Sequence, residues 1–183
     1  MVEPWLQRAA WHTVTAPATC GTLERSPAFL DRCISQFDVE NAERYRANAK
    51  QTWCNIFASD VTKALGCEIP HVILKGASWA EQSANDMFDW MFSTGILFHG
   101  WRESGPREAQ AFADAGKVGV ALYKNTGRGI MGIGPRLPGH IAVLTPSHGQ
   151  DGVWIAQAGR ANFRRAPLAM GFGALPVLFF VHD

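Results

Sequence analysis

The sequence predicts an α+β fold, with helices before residue 116 and an antiparallel sheet after it. Three observations lead there. Apolar residues recur at helical spacing in four early segments, and β-branched and aromatic runs dominate the later ones. The seven-residue stretch "PSHGQDG" then joins two of those runs as a hairpin. With 183 residues, 47% hydrophobic and 18% charged, the chain is expected to form a single domain over 1–183, with a core that needs no staples.

Residues 1–25 read as irregular. In "SPAFLDRCISQF", Ser26 is a cap and Pro27 suits the first helical position, so a helix is predicted over 27–37. The polar stretch "DVENAERYRANAKQT" connects it to "WCNIFASDVTKALG". There Phe57, Val61, Ala64 and Leu65 fall on one stripe, predicting an amphipathic helix from Trp53 to Leu65. Gly66 is its stop, and Pro70 limits continuation. A third helix is predicted over 86–94 with Asn85 as cap. A fourth covers 106–115, opened by Ser104 and closed by Gly116. Strands are predicted at 118–123, 140–145, 153–158 and 176–181. Between the first two lies "KNTGRGIMGIGPRLPG", with five glycines and two prolines, expected to be a long mobile loop beside His140.

Lys plus Arg number 17 and Asp plus Glu 16, so no field of one sign draws in nucleic acid. The three arginines of "RANFRR" (160–165) are expected in a solvated turn. The apolar run "LPVLFFV" is too short to span a bilayer. "MVEPWLQRAAWH" lacks the pattern of a signal peptide, so a soluble chain is expected, with any export by a trimmed leader or another route. Cysteines at 20, 33, 54 and 67 form no CxxC, which argues against a zinc ribbon or a redox dithiol. Cys20 and Cys33, both outside the predicted core, could bridge.

Cys54 sits where a helix begins, and a thiol there can act as a nucleophile. The thiolate is the reactive form, and a helix N-terminus with a nearby imidazole favours it. His140 opens a predicted strand directly after the Gly-rich loop. If the hairpin closes symmetrically, Thr145 faces Val153 and His140 faces Ala158. A one-residue shift puts Gln157 opposite His140. Val153, Ile155 and Gln157 share a face, and an inward glutamine in an apolar run needs a partner, for which His140 is the nearest candidate. Blander roles compete: Cys54 as a buried structural thiol, His140 as a strand-end histidine bonded to backbone, Gln157 as an ordinary sheet amide. Asp60, six residues after Cys54, is turned away from it and expected at the surface or in support. His71, His99 and His148 are expected in loops and non-catalytic, and His12 and His182 are terminal. Of the tryptophans, only Trp79 and Trp101, placed in loops, are considered for glycan contact.

The order of these residues resembles the NlpC-type and CHAP-type cell-wall hydrolases, papain-like enzymes that cleave peptide bonds in peptidoglycan. In them a Cys on a helix N-terminus is followed by a Gly-His-aliphatic strand and then a strand with a polar third residue. Matching positions are Cys54 in "TWCNIFASDVTKALG", His140 in "GHIAVL" and Gln157 in "IAQAG", and the resemblance covers about residues 45–160. It implies a papain-like fold with helices packed on a small antiparallel sheet. It also implies an amidase or endopeptidase that cleaves stem peptides without metal or cofactor. Since the third residue in such enzymes is often His, Asn, Asp or Glu, Asn162 stays open as a substitute for Gln157. Papain-like proteases place an oxyanion-hole Gln shortly before the Cys. Here Gln51, with Trp53 and Asn162, is expected to line the pocket. A second expectation keeps this chemistry in a secretion-system effector, acting outside the cell or in the periplasm, with an immunity or inhibitor protein as partner. Further alternatives are a non-enzymatic wall-binding or inhibitor module with a structural Cys54, or a papain-like protease or acyltransferase of proteins.

Overall fold

Six strands pair into one antiparallel sheet with helices packed against it, in a computed structural model that describes residues 25–49, 51–127 and 137–183. The class is α+β. Helix α1 spans Pro27–Ser35, with Ser26 accepting the Phe29 N–H as cap. Helix α2 spans Cys54–Ala64 and α3 spans Ala84–Trp90. A π-helical turn, Met91–Gly95, leads into the short α4, Ile96–Phe98. Helix α5 is Pro106–Asp114 and α6 is Leu168–Phe172. Strands β1 (Val72–Lys75) and β2 (Ser78–Glu81) form a separate hairpin. Strands β3 (Arg102–Ser104), β4 (Val118–Tyr123), β5 (His140–Leu144), β6 (Trp154–Gln157), β7 (Phe163–Pro167) and β8 (Leu178–His182) form the sheet. Its order is β3-β8-β4-β5-β6-β7.

Val118–Leu122 and Ile141–Leu144 are buried at every position. Successive side chains point to opposite faces, so both faces of the sheet are covered at its centre. Helix α2 packs on β5, and α5 packs on β4, β5 and β8. The edges differ: β3 carries Arg102 and Glu103, and β7 carries Arg164 and Arg165, charges that discourage further strand pairing.

Several expectations need correction. Helix α2 is not amphipathic: every residue except Lys63 is buried, because β5, α1, α3 and the turn at Glu43–Tyr45 surround it. The third helix starts two residues early, capped by Ser83, whose hydroxyl and the Asp86 carboxylate satisfy each other's backbone N–H groups. Asn85 therefore lies inside the helix and points elsewhere. Gly105 precedes α5, and Ser104 ends β3 instead, its hydroxyl bonded to Glu108. "RANFRR" is not a solvated turn, since Phe163 onward forms β7. Trp101 lies in the short loop between α4 and β3 as expected but is buried in the core at 2% exposure, out of reach of a glycan. Trp79 is not in a loop but on β2, at 58% exposure. Cys33 is buried in the core rather than outside it. The expectations for residues 1–24, with Cys20 and His12, and for 128–136 of the Gly-rich loop lie outside the described residues.

Candidate active site

Cys54 is the first residue of α2, and no described side chain caps that end. Trp53 precedes it in a non-helical conformation, anchored by its indole N–H on the Arg46 carbonyl at 2.8 Å. The following Asn55 donates from Nδ2 to Glu81 Oε1 and to the Gln82 carbonyl, both at 2.9 Å. That pair ties the helix start to the end of β2. The start of α2 is thus left without a capping side chain, at the edge of a cleft that Cys54 and Asn55 line.

His140, first residue of β5, brings its ring beside the Cys54 sulfur, near enough that each shifts the ionisation of the other. His140 Nε2 meets Gln157 Oε1 at 2.6 Å, leaving Nδ1 as the nitrogen for sulfur. Phe172 of α6 stacks obliquely on the imidazole, with centroids 4.8 Å apart. The hairpin register explains the Gln157 contact. Val143 pairs with Ala156 and Leu144 with Ile155, one residue from the symmetric expectation and in the direction away from a Gln157–His140 pairing. Continued, that register sets His140 opposite Gly159 and Gln157 diagonal to His140 on the same face. A glutamine is long enough to span the diagonal. Glycines make room for it: a Cβ on Gly159 would lie 2.9 Å from Gln157 Nε2, and one on Gly171 would collide with Gln157 Oε1.

The electrostatics favour an ion pair. Burial pushes the Cys54 thiol up, but the His140 hydrogen bond and charge, with the N–H groups of Ile141 and Asn55, bring it below its ordinary value. Burial pulls His140 down, yet its bond to the sulfur, the sulfur's charge and the Gln157 contact carry it above the ordinary imidazole value. Each partner stabilises the charged form of the other, so they titrate as a unit.

The pair lies in an open cleft of about 570 Å³ walled by Gln51, Trp53, Glu81, Ser83, Arg160 and Met170, among others. Gln51 and Trp53 thus line it as expected. Asn162 does not. Its side chain bonds Gly159 N, Val39 O and Tyr45 O, so it is not in reach of His140 as a substitute third residue. Asp60 is buried rather than at the surface, bonded by Arg44 and Tyr45.

Contacts that sequence reasoning missed are Asn55, Glu81, Arg160 and Phe172. An Asn directly after a helix-start Cys was a readable signal. The other three come from distant segments and had none. Asn85 was also misassigned: from within α3 it accepts the Asn125 N–H and donates to the Leu137 carbonyl, clasping both ends of the Gly-rich loop just before His140. Among the described residues, no group of His, Cys, Asp and Glu could hold a metal ion, and no helix is long and apolar enough to cross a membrane. No protein-family model matches the chain, and no curated protein matches it.

Proposed function

We propose that the protein is a papain-like cysteine hydrolase of amide bonds, acting on the stem peptides of peptidoglycan. The observation that carries the chemistry is the Cys54–His140–Gln157 line at the edge of an open cleft. The wall substrate follows from the resemblance of its ordered motifs to the NlpC-type and CHAP-type hydrolases. The papain-like comparison rests on a helix that presents Cys at its start, packed on an antiparallel sheet that carries His and then Gln.

In this mechanism the Cys54 thiolate attacks the scissile carbonyl carbon. N–H groups of the first turn of α2, that of Cys54 among them, hold the oxygen as it gains charge. The imidazolium of His140 gives its proton to the leaving amine, and Gln157 keeps the ring aimed by accepting from Nε2. Neutral imidazole then takes a proton from water, which releases the acyl group and restores the pair. The cleft is open and about 570 Å³ in volume, with Arg160 and Glu81 offering opposite charges along its walls to an extended peptide. Delivered outside the producing cell as an effector, such an enzyme would have an immunity protein as partner.

The experiment is digestion of sacculi and isolated muropeptides by the purified protein, followed by mass spectrometry. The wild type should yield new amide-cleavage products, and Cys54→Ala and His140→Ala should each lose about 10³-fold or more of that rate. Cleavage that survives Cys54→Ala overturns the mechanism.

A further inference from the structure

An amide side chain can present either end, and only its oxygen can accept a proton from imidazole. What fixes Gln157 is therefore a chemical question. Its Nε2 donates to the Ala161 carbonyl at 3.0 Å, which turns Oε1 toward His140. Ala161 belongs to the turn after β6, and Asn162 gives that turn its shape. Asn162 Oδ1 accepts the Gly159 N–H at 3.0 Å, while Nδ2 donates to the Val39 carbonyl at 3.0 Å and the Tyr45 carbonyl at 2.8 Å. The turn is thus fastened to the segment before α2.

That segment is in turn fastened to α2 itself. The Tyr45 hydroxyl donates to Asp60 Oδ2 at 2.6 Å, and its ring packs edge-on to Phe57 with centroids 5.3 Å apart. Arg44 grips Asp60 through Nε at 2.7 Å and Nη2 at 3.0 Å. Burial first, then the Asp60 charge, raises the Tyr45 hydroxyl well above its ordinary value, so it stays a donor. Asp60 and Phe57 ride on the helix that begins with Cys54. The contacts close a circuit: from Cys54 along α2 to Asp60, through Tyr45, Asn162 and Ala161 to Gln157, and through His140 back to the sulfur. A buried ion pair is a poor source of net stability compared with apolar packing, whereas holding one geometry is a use such pairs serve elsewhere.

We propose that Asn162, backed by the Arg44–Tyr45–Asp60 cluster, is a positioning residue that holds the Gln157 amide oxygen on His140, resting on the catalytic reading given above. It touches neither substrate nor sulfur and acts through Gln157.

The test is NMR on the full chain with ¹⁵N-labelled histidine, reading solvent exchange of the His140 Nε2 proton. In Asn162→Ala that proton should exchange about tenfold faster than in wild type, since the bond that protects it opens more often. The exposed Asn41→Ala, whose side chain donates to Asp38, should leave exchange unchanged. Tyr45→Phe keeps the carbonyl that Asn162 uses and loses the hydroxyl. It should exchange about threefold faster, and it decides the matter if Asn162→Ala does not fold. Wild-type exchange in folded Asn162→Ala, or in Tyr45→Phe when that variant alone folds, overturns the positioning role. A protected proton in a wild type that cuts no wall peptide overturns the hydrolase reading instead and supports the circuit.

Discussion

The two halves of the sheet are held together by different physics. At β8 and β4 the contacts are apolar: Phe180 is fully buried, with Phe88 and Phe92 meeting it edge-on at centroid distances of 6.4 and 5.3 Å. At the open ends of β5 and β6 the contacts are directional hydrogen bonds among His140, Gln157, Ala161 and Asn162. Burial of apolar surface is proportional to area and indifferent to a few degrees of rotation. A hydrogen bond weakens steeply when misaligned. The first half should therefore set how stable the protein is, and the second how it reacts.

The largest separation of the two comes from Phe180→Ala. Removing that ring should cost about 3–5 kcal/mol in urea unfolding. In the fraction that stays folded, wall cleavage should change little, because Phe180 lies on β8, with β4 between it and the strand that carries His140. A large activity loss at full folding would break the comparison. Gln157→Ala is the converse. It should lower the cleavage rate by about 10²-fold, within the span of general acid–base effects. The urea midpoint should move less than for Phe180→Ala. If it unfolds the protein as readily as Phe180→Ala does, Gln157 is chiefly structural.

Legibility in the sequence followed the same divide. Strand β4 was readable to the residue, and α2 to within one at each end, because apolar runs and Gly66 mark them locally. The succession Cys54, His140, Gln157 was legible as a candidate set, and the His140–Gln157 hydrogen bond and the coupled ionisation of Cys54 and His140 join the three. Register was not. The loop between β5 and β6 turns through left-handed backbone at His148, Gly149 and Gly152, and a symmetric count cannot anticipate the one-residue offset that results. Strand β7 was hidden by its arginines, which an edge strand carries by necessity and a solvated turn carries by habit. Asp60 met the expectation of a supporting place turned away from Cys54, though not at the surface, while Asn162 was misplaced. Spacing along a helix says where a side chain points, but not that Arg44 and Tyr45 wait there, or that residue 162 reaches back 123 positions to Val39.

The central claim is that His140 makes Cys54 a thiolate where an ordinary thiol is protonated. A lowered thiol value moves the rise of reactivity to lower pH, since the thiolate appears as pH climbs through it. Without His140, the burial that pushes the thiol up is left opposed only by the Ile141 and Asn55 N–H groups, and the rise moves to higher pH. The direct measurement is the rate at which iodoacetamide alkylates Cys54 from pH 5 to 9, read by mass spectrometry of the Cys54 peptide in wild type and His140→Ala. At pH 6 wild type should react about tenfold faster than His140→Ala, a gap that narrows as pH rises and the variant's thiol begins to ionise. Superimposable profiles in the two proteins would contradict the account.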